Sequence, residues 1–365
     1  MDKLIEKIET LKNSMKYLLI ILQLLFTLPI ESRYLEIETL WGKEIIEDPM
    51  TIELIESSPF QRLKSIDQHG IISYCNQTPT FNRFDHSVSV YALLKRYQAS
   101  YPEQIAGLLH DLSHTVFSHV GDYLFMTSLE GQAYQDKIQA WYMQEVGIGK
   151  ILNNYGYTIQ DVLDDNPLFQ CLEQPLPDLC ADRIEYILHT AKVFGLISQD
   201  RIEELLRALK FENNRWYFDQ LDQARKLADF SLHFTQNFWG DLCNSLCNEW
   251  FAKALKIALE EHIISLNDIH FSTDLKVLDL LHACTNSSIK NLISLCWNHA
   301  FSYNFIHTEA EKIHITPKFR GVNPWVKKGD SFDRLSDLDP EFNINYLNLK
   351  EKIQRGPLLN EVTLK

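Results

Sequence analysis

Glycine and proline are sparse, 13 and 12 among 365 residues, which excludes collagen-like repeats and long flexible linkers. Positive charge is also short. The 35 Lys and Arg face 49 Asp and Glu, and the resulting net charge of −14 repels a polyanion, so no extended nucleic-acid partner is expected. A small phosphorylated substrate remains admissible. The seven cysteines, at 75, 171, 180, 243, 247, 284 and 296, contain no C-x-x-C pair and no repeated spacing, so a reducing compartment suits them and a disulfide framework does not. Cys243 and Cys247 fall on one helix face and read as small buried residues. The uncharged apolar run 17–30 has fourteen residues. That is short of the ~20 a membrane span needs. Preceded by Met15-Lys16, the run resembles the core of a signal peptide, yet Glu31, Ser32 and Arg33 follow it where a small-x-small cleavage site belongs. A docking helix in a cytoplasmic protein is therefore expected, with export or membrane anchoring through 17–30 as the alternative.

What is present is ordinary for a folded, enzyme-sized chain. Hydrophobic residues make up 45% and charged residues 23%, and the length allows one large or two modest domains, each with a sizeable core. Helical spacing dominates. It predicts helices over 83–97, where Val88, Tyr91 and Leu94 recur with Lys95 and Arg96 on the polar side, and over 102–112, where Pro102 starts a face of Ile105, Leu108, Leu109 and Leu112. Further helices are expected over 179–194, 199–209, 219–228, 244–261 and 274–281. Beyond Ile313, the Ile313-His314-Ile315 alternation, Pro317 and Pro324 read as short strands or extended segments. The expected architecture is an all-α body with a small mixed carboxy-terminal part.

Histidine is concentrated. His86, His110, His114 and His119 fall within 34 residues, and Asp111 follows His110 directly in an apolar context. Neighbours on a helix point about 100° apart, so His110 and Asp111 can share an ion only where another helix supplies opposing ligands, such as His86 and a later carboxylate. Imidazole with carboxylate suits Fe, Mn, Zn, Ni or Co.

Four blocks are distinctive: 60–70 (FQRLKSIDQHG), 82–87 (NRFDHS), 104–119 (QIAGLLHDLSHTVFSH) and 182–186 (DRIEY). Together they resemble the HD-domain metal-dependent phosphohydrolases, in particular the branch of the deoxynucleoside triphosphate triphosphohydrolases and the SAM-and-HD-domain enzyme. The resemblance implies an all-α HD-domain fold over 45–300, between an amino-terminal segment 1–44 and a mixed extension 301–365. It implies metal ligands at His86, His110, Asp111 and Asp182, binding one divalent transition metal or Mg. Arg83 falls where the family binds phosphate, His114 near the scissile phosphate, and His119 at a general acid that Asp122 would orient. Gln68 and His69 would lie beside the sugar, Tyr186 would pack on it, and Arg183 would contact phosphate. The implied reaction is attack of metal-activated water on the phosphorus of a nucleotide or related small phosphoester, and relatives are often dimers or higher, so a homo-oligomer is expected.

The chain departs from this pattern in three places. A supporting His-Glu pair is replaced by residues of the stretch Tyr134-Gln135-Asp136, and His69 stands where a small or medium apolar residue would exclude a ribose 2′-hydroxyl. Aligned without gaps, Asn237, Gly240, Leu242 and Cys243 stand where relatives carry Arg, Tyr, His and Lys around the phosphates. A weakened grip on distal phosphates follows, unless Lys318 or Arg320 of the tail, or Arg201 and Arg207, fold back to restore it. A metal-loaded nucleotide sensor or scaffold with little turnover is the rival expectation.

Overall fold

The computed structural model describes Met1, Lys16 and residues 33–76, 78–125, 133–297 and 318–355. The apolar run 17–30 and the Ile313-His314-Ile315 alternation lie outside the described residues. Among the described ones no helix is long and apolar enough to cross a membrane.

From residue 33 onward the chain opens with a hairpin that the helical periodicity did not announce. Strands β1 (Leu35–Thr39) and β2 (Gly42–Ile46) pair antiparallel, with Leu35 opposite Ile46, and alternate half-buried Leu35 and Ile37 with exposed Glu36 and Glu38. Three short helices, Pro49–Glu56, Ser58–Arg62 and Ile71–Asn76, precede the first long one, α1 (Arg83–Arg96). Asn82 caps it by accepting the Asp85 N–H at 2.8 Å, Lys95 and Arg96 sit in its last turn, and most of its remaining residues are buried, as befits a helix packed on several sides.

Helix α2 (Tyr101–Leu109), with Pro102 in its first turn, lies so close to α1 that a Cβ on Gly107 would sit 2.2 Å from Leu94 Cδ1. It ends sooner than expected. His110 to Ser113 form a turn in which Leu112 N donates to Leu109 O at 3.0 Å and His114 N to Asp111 O at 3.1 Å, so His110 and Asp111 stand past the helix and not on it.

Helices α3 (Val120–Phe125), α4 (Tyr134–Glu145), α5 (Ala181–Val193) and α6 (Gln199–Ala208) continue the body. A second hairpin, β3 (Leu209–Glu212) and β4 (Arg215–Phe218), leads into α7 (Leu221–Phe234), which runs past the expected end at 228. A π-helical turn, Thr235–Trp239, joins α7 to α8 (Leu242–Glu260), and α9 (Asp274–Ala283) and α10 (Ser287–Trp297) follow.

In the tail, β5 (Trp325–Lys328) and β6 (Ser331–Arg334) precede α11 (Pro340–Arg355). These strands complete a four-stranded sheet, β3-β4-β5-β6, in which β4 and β5 run parallel with Tyr217 opposite Trp325. The fold is mostly helical, and "all-α" holds only approximately, because the hairpins draw on pairings that helical periodicity does not encode. Two hydrophobic cores meet at α1: Val88 and Tyr91 belong to one with Leu108 and Leu109, and Val90, Leu93 and Leu94 to the other with Ala106.

Candidate functional site

Three elements converge on one buried point. His86 comes from the first turns of α1, His110 and Asp111 from the turn after α2, and Asp182 from the first turn of α5. The approach of α5 is arranged by Glu103 of α2, a buried carboxylate that accepts the N–H groups of Cys171 at 2.7 Å and Leu172 at 3.0 Å, while Cys171 O accepts the Ala181 N–H at 2.9 Å. Ligand atoms of His86, His110 and Asp182 lie within 4.8 Å of one another. His86 Nε2 is 3.1 Å from His110 Nε2 and 3.0 Å from Asp182 Oδ1, and each Nε2 is 3.6 Å from an Asp111 oxygen.

The outward ring nitrogens explain why the inward ones fit a cation. His86 Nδ1 pairs with the fully buried Glu185, and His110 Nδ1 donates to Gly107 O at 2.8 Å. With both protons held outward, two Nε2 lone pairs and carboxylate oxygens point at one another, an arrangement that repels itself unless positive charge sits among them. Burial alone lowers the His86 pKa, but Glu185, Asp182 and Asp111 outweigh it and push it up to about 10; His110, lowered by burial and raised by Asp111 and Asp182, reaches about 9. Asp182, despite burial, is held far below the usual carboxylate range by His110 and His86. A divalent metal would meet the same demand for positive charge, and two imidazoles with one or two carboxylates are a fitting donor set. A second group, Glu173, Cys180 and Asp182, also lies within 4.8 Å, with Cys180 Sγ donating to Glu173 at 3.7 Å.

Around this point stand the other residues singled out in the sequence. Arg83 is buried, pairs with Asp111, and donates from Nε to Ser118 Oγ at 2.7 Å. His114 Nε2 is 3.2 Å from Asp111 Oδ1, and its Nδ1 has no partner among the described residues. Burial and Arg83 push its pKa down to about 3, so it is neutral at pH 7. His119 is half-buried, with Nδ1 3.7 Å from Asp122 Oδ2, and Asp122 Oδ1 accepts the Tyr134 N–H at 2.8 Å. The stretch 134–136 thus abuts Asp122. Burial lowers the His119 pKa, Asp122 opposes this, and Arg320 and Arg83 add to the lowering.

A second wall is aromatic. His69 is buried edge-on to Phe81 at 5.3 Å and Phe238 at 4.9 Å, and Tyr186 edge-on to Trp239 at 5.2 Å. Gln68 Oε1 and His69 Nε2 are buried without a partner among the described residues. Arg183, by contrast, donates to the carbonyls of Gln174 and Asp178 and pairs with Glu173 at 3.7 Å, so its donors are committed to the loop before α5. Asn237 is exposed and donates to His233 O at 3.0 Å, whereas the charge of Arg320 reaches His119, Tyr186 and Tyr123. Sequence reasoning assigned no role to Glu185 or to His189, whose Nδ1 lies 2.6 Å from Glu185 Oε1. Their spacing was the available signal: Glu185 follows Asp182 by three residues on α5 and precedes His189 by four.

Comparison with known proteins gives a consistent picture. A family model described as HD domain matches residues 83–140. An uncharacterized Bacillus subtilis protein, YdhJ, is 35% identical over 257 residues, 70% of this chain and 78% of that protein. The metal-dependent phosphohydrolase cns2 of Cordyceps militaris is 35% identical over 173 residues, 47% of this chain and 49% of its own length. The deoxynucleoside triphosphate triphosphohydrolase SAMHD1 of Mus musculus is 37% identical over 93 residues, 21% of this chain and 14% of that one. In three dimensions the chain is similar to a hypothetical protein from Aquifex aeolicus, with a TM-score of 0.64, 18% identity, and coverage of 85% and 93% of the two chains, which speaks to the fold alone.

Proposed function

The chain belongs to the HD-domain family of phosphohydrolases, and on that footing we propose that it hydrolyses a phosphoester of a nucleotide or related small phosphorylated compound with the help of one divalent metal. The observation that carries the reading is the convergence of His86, His110 and Asp182 beside Arg83 and His114. His86, His110, Asp182 and Asp111 would hold the metal. A metal there supplies Lewis acidity, neutralising charge on a phosphoryl oxygen and lowering the pKa of water.

The chain's own groups then divide the remaining work. Arg83, a planar fork of donors, binds a non-bridging phosphate oxygen in exchange for part of its pairing with Asp111. Neutral His114, whose Nε2 donates to Asp111, offers Nδ1 as an acceptor to the attacking water or to a protonated phosphate oxygen without adding charge. His119 gives a proton to the leaving oxygen, with Asp122 orienting its ring. The negative charge of an incoming phosphate offsets Arg83 and Arg320, which lifts His119 toward its protonated form. Gln68 and His69 face the sugar with unpaired acceptor or donor atoms, and Tyr186 packs against it. Because His69 can bond a 2′-hydroxyl instead of excluding it, ribo- and deoxyribonucleotides are expected to react within about tenfold of each other.

A second reading has its own support. The His-Glu pair expected near the acid is absent from 134–136, and Asn237, Gly240, Leu242 and Cys243 carry no cation, as a nucleotide sensor with little turnover would tolerate. One panel separates the two. Nucleoside mono-, di- and triphosphates are incubated with the protein in Mn, Fe, Ni, Zn, Co and Mg, and free phosphate and condensed phosphate (pyrophosphate or tripolyphosphate) are measured beside nucleotide binding. Release of either product, lost in His114→Ala and His119→Ala, supports the hydrolase; binding without release in every metal supports the sensor.

A further inference from the structure

The turn that delivers His119 is held from far away in sequence. Phe117 and Ser118, immediately before it, both lie in the left-handed region with φ of 58° and 51°, a conformation that residues other than glycine keep only where their surroundings impose it. The imposing group is Asp274, fully buried in the first turn of α9. Its Oδ1 accepts the Phe117 N–H at 2.7 Å, across 157 residues of sequence. Its Oδ2 accepts the Asp67 N–H at 2.9 Å and the Tyr74 hydroxyl at 3.0 Å.

Asp67 passes the constraint on. Its Oδ1 accepts from the His69 N–H at 2.8 Å, Ser73 Oγ at 2.7 Å and Thr80 Oγ1 at 2.9 Å, and its carbonyl accepts from Ser118 Oγ, the hydroxyl that also accepts from Arg83 Nε. Gly70, at φ +68°, closes the gap: a Cβ there would sit 2.4 Å from Phe117 O. The segment before Asp274 braces the same turn. Ile269 O accepts the Val116 N–H at 3.0 Å, and Ser272 O accepts Arg62 Nε at 2.8 Å while Arg62 Nη2 donates to His114 O at 2.8 Å.

We propose that Asp274 is a positioning residue for hydrolysis: one buried carboxylate fixes the left-handed pair that aims His119 and, through Asp67, the loop that carries Gln68 and His69. This rests on the reading of His119 as proton donor to the leaving oxygen. Both carboxylate oxygens are engaged as acceptors, two of their donors being backbone N–H groups that cannot turn away. An asparagine offers one acceptor and sets an NH₂ against the other N–H, so Asp274→Asn removes one anchor with almost no change of volume.

The test compares wild type, Asp274→Asn, His119→Ala and the double variant on two substrates in the same metal. One is 2′-deoxyadenosine 5′-monophosphate, whose alkoxide leaving group needs a proton; the other is p-nitrophenyl phosphate, whose leaving group does not. Asp274→Asn is expected to lower kcat on the nucleotide by about tenfold to a hundredfold and on the nitrophenyl ester by less than about threefold. In kcat the double variant is expected to be no slower on the nucleotide than His119→Ala within about threefold, the loosened loop of Gln68 and His69 showing in KM instead. Equal kcat losses on both substrates, or kcat losses that multiply in the double variant, overturn the proposal. Amide hydrogen exchange supplies a readout free of turnover. Protection lost over 67–70 and 114–119 with α1 unchanged upholds the brace, while protection unchanged everywhere, or lost throughout, overturns it. A wild-type protein that hydrolyses neither these substrates nor any nucleoside mono-, di- or triphosphate of the panel above defeats the phosphohydrolase reading, and the exchange result still decides the brace.

Discussion

On the side of His86, His110 and Asp111, the groups that point inward are backed by Glu185, Gly107 O and Arg83, whereas on the side of Gln68 and His69 two buried polar atoms have no partner among the described residues. Each such atom costs about 1 to 3 kcal/mol when left unmade. The first wall is organised before anything binds, and its charge imbalance calls for a cation. The second wall holds its hydrogen-bonding capacity in reserve, which is what a surface completed by an incoming sugar requires. Variants of the first wall should therefore abolish function through the metal, and variants of the second should only redistribute preference among substrates.

The largest effect is expected from the inward groups. His110→Ala and Asp182→Ala should lose bound metal and lower hydrolysis by at least about a thousandfold, the scale on which loss of charge stabilisation acts. Metal analysis of the purified variants checks this, and wild-type metal content in both would remove the proposed site. One bond further out, Glu185→Ala should weaken metal binding by about tenfold to a hundredfold while the fold persists, measured by competition with a chelator. An unchanged affinity would show that Glu185 serves packing alone.

The same competition run at several pH values tests the charge imbalance. In the metal-free protein His86 is pushed up to about 10 and His110 to about 9, so entry of a metal must displace protons. Apparent affinity should rise with pH, by up to about a hundredfold per unit between pH 6 and 8, one decade for each imidazole proton displaced. A flat profile would mean that the imidazoles are already neutral. The smallest effect belongs to the second wall and its rim. Wild-type kcat/KM for a nucleoside triphosphate and its monophosphate should agree within about tenfold, roughly 1.4 kcal/mol, and Arg320→Ala should lower the triphosphate value by a few-fold more than the monophosphate value. A triphosphate preference above about a thousandfold, with intact tripolyphosphate as product, would show a stronger grip on distal phosphates than Arg320 and Arg83 account for.

How much was legible follows from range in sequence. Helix α1 and its His86 were readable because every determinant, from the Asn82 cap to Lys95 and Arg96, is local. Helix α2 was readable except at its end, where an apolar Leu112 continues the helical pattern although the chain has already turned. The hairpin of Leu35 to Ile46 escaped notice because five-residue strands of mixed polarity give almost no periodic signal. Glu185 was in plain view beside Asp182, but its task depends on a ring of α1 that only packing brings near. Asp274 carries no local mark at all: its partners, Asp67, Tyr74 and Phe117, are 157 to 207 positions away.

The parallel pairing of Tyr217 with Trp325 has a consequence for the order of events during synthesis. A chain emerging from the ribosome amino terminus first has released His86, His110, Asp111 and Asp182 well before Trp325 appears. All four are thus synthesised while β4, paired with β3, still has one open edge, and the sheet is sealed, and the shared core completed, only when the tail segment arrives. Pulse-labelled nascent chains released before Trp325 would then expose β4 and core side chains, and would depend on chaperones until the strand is covered.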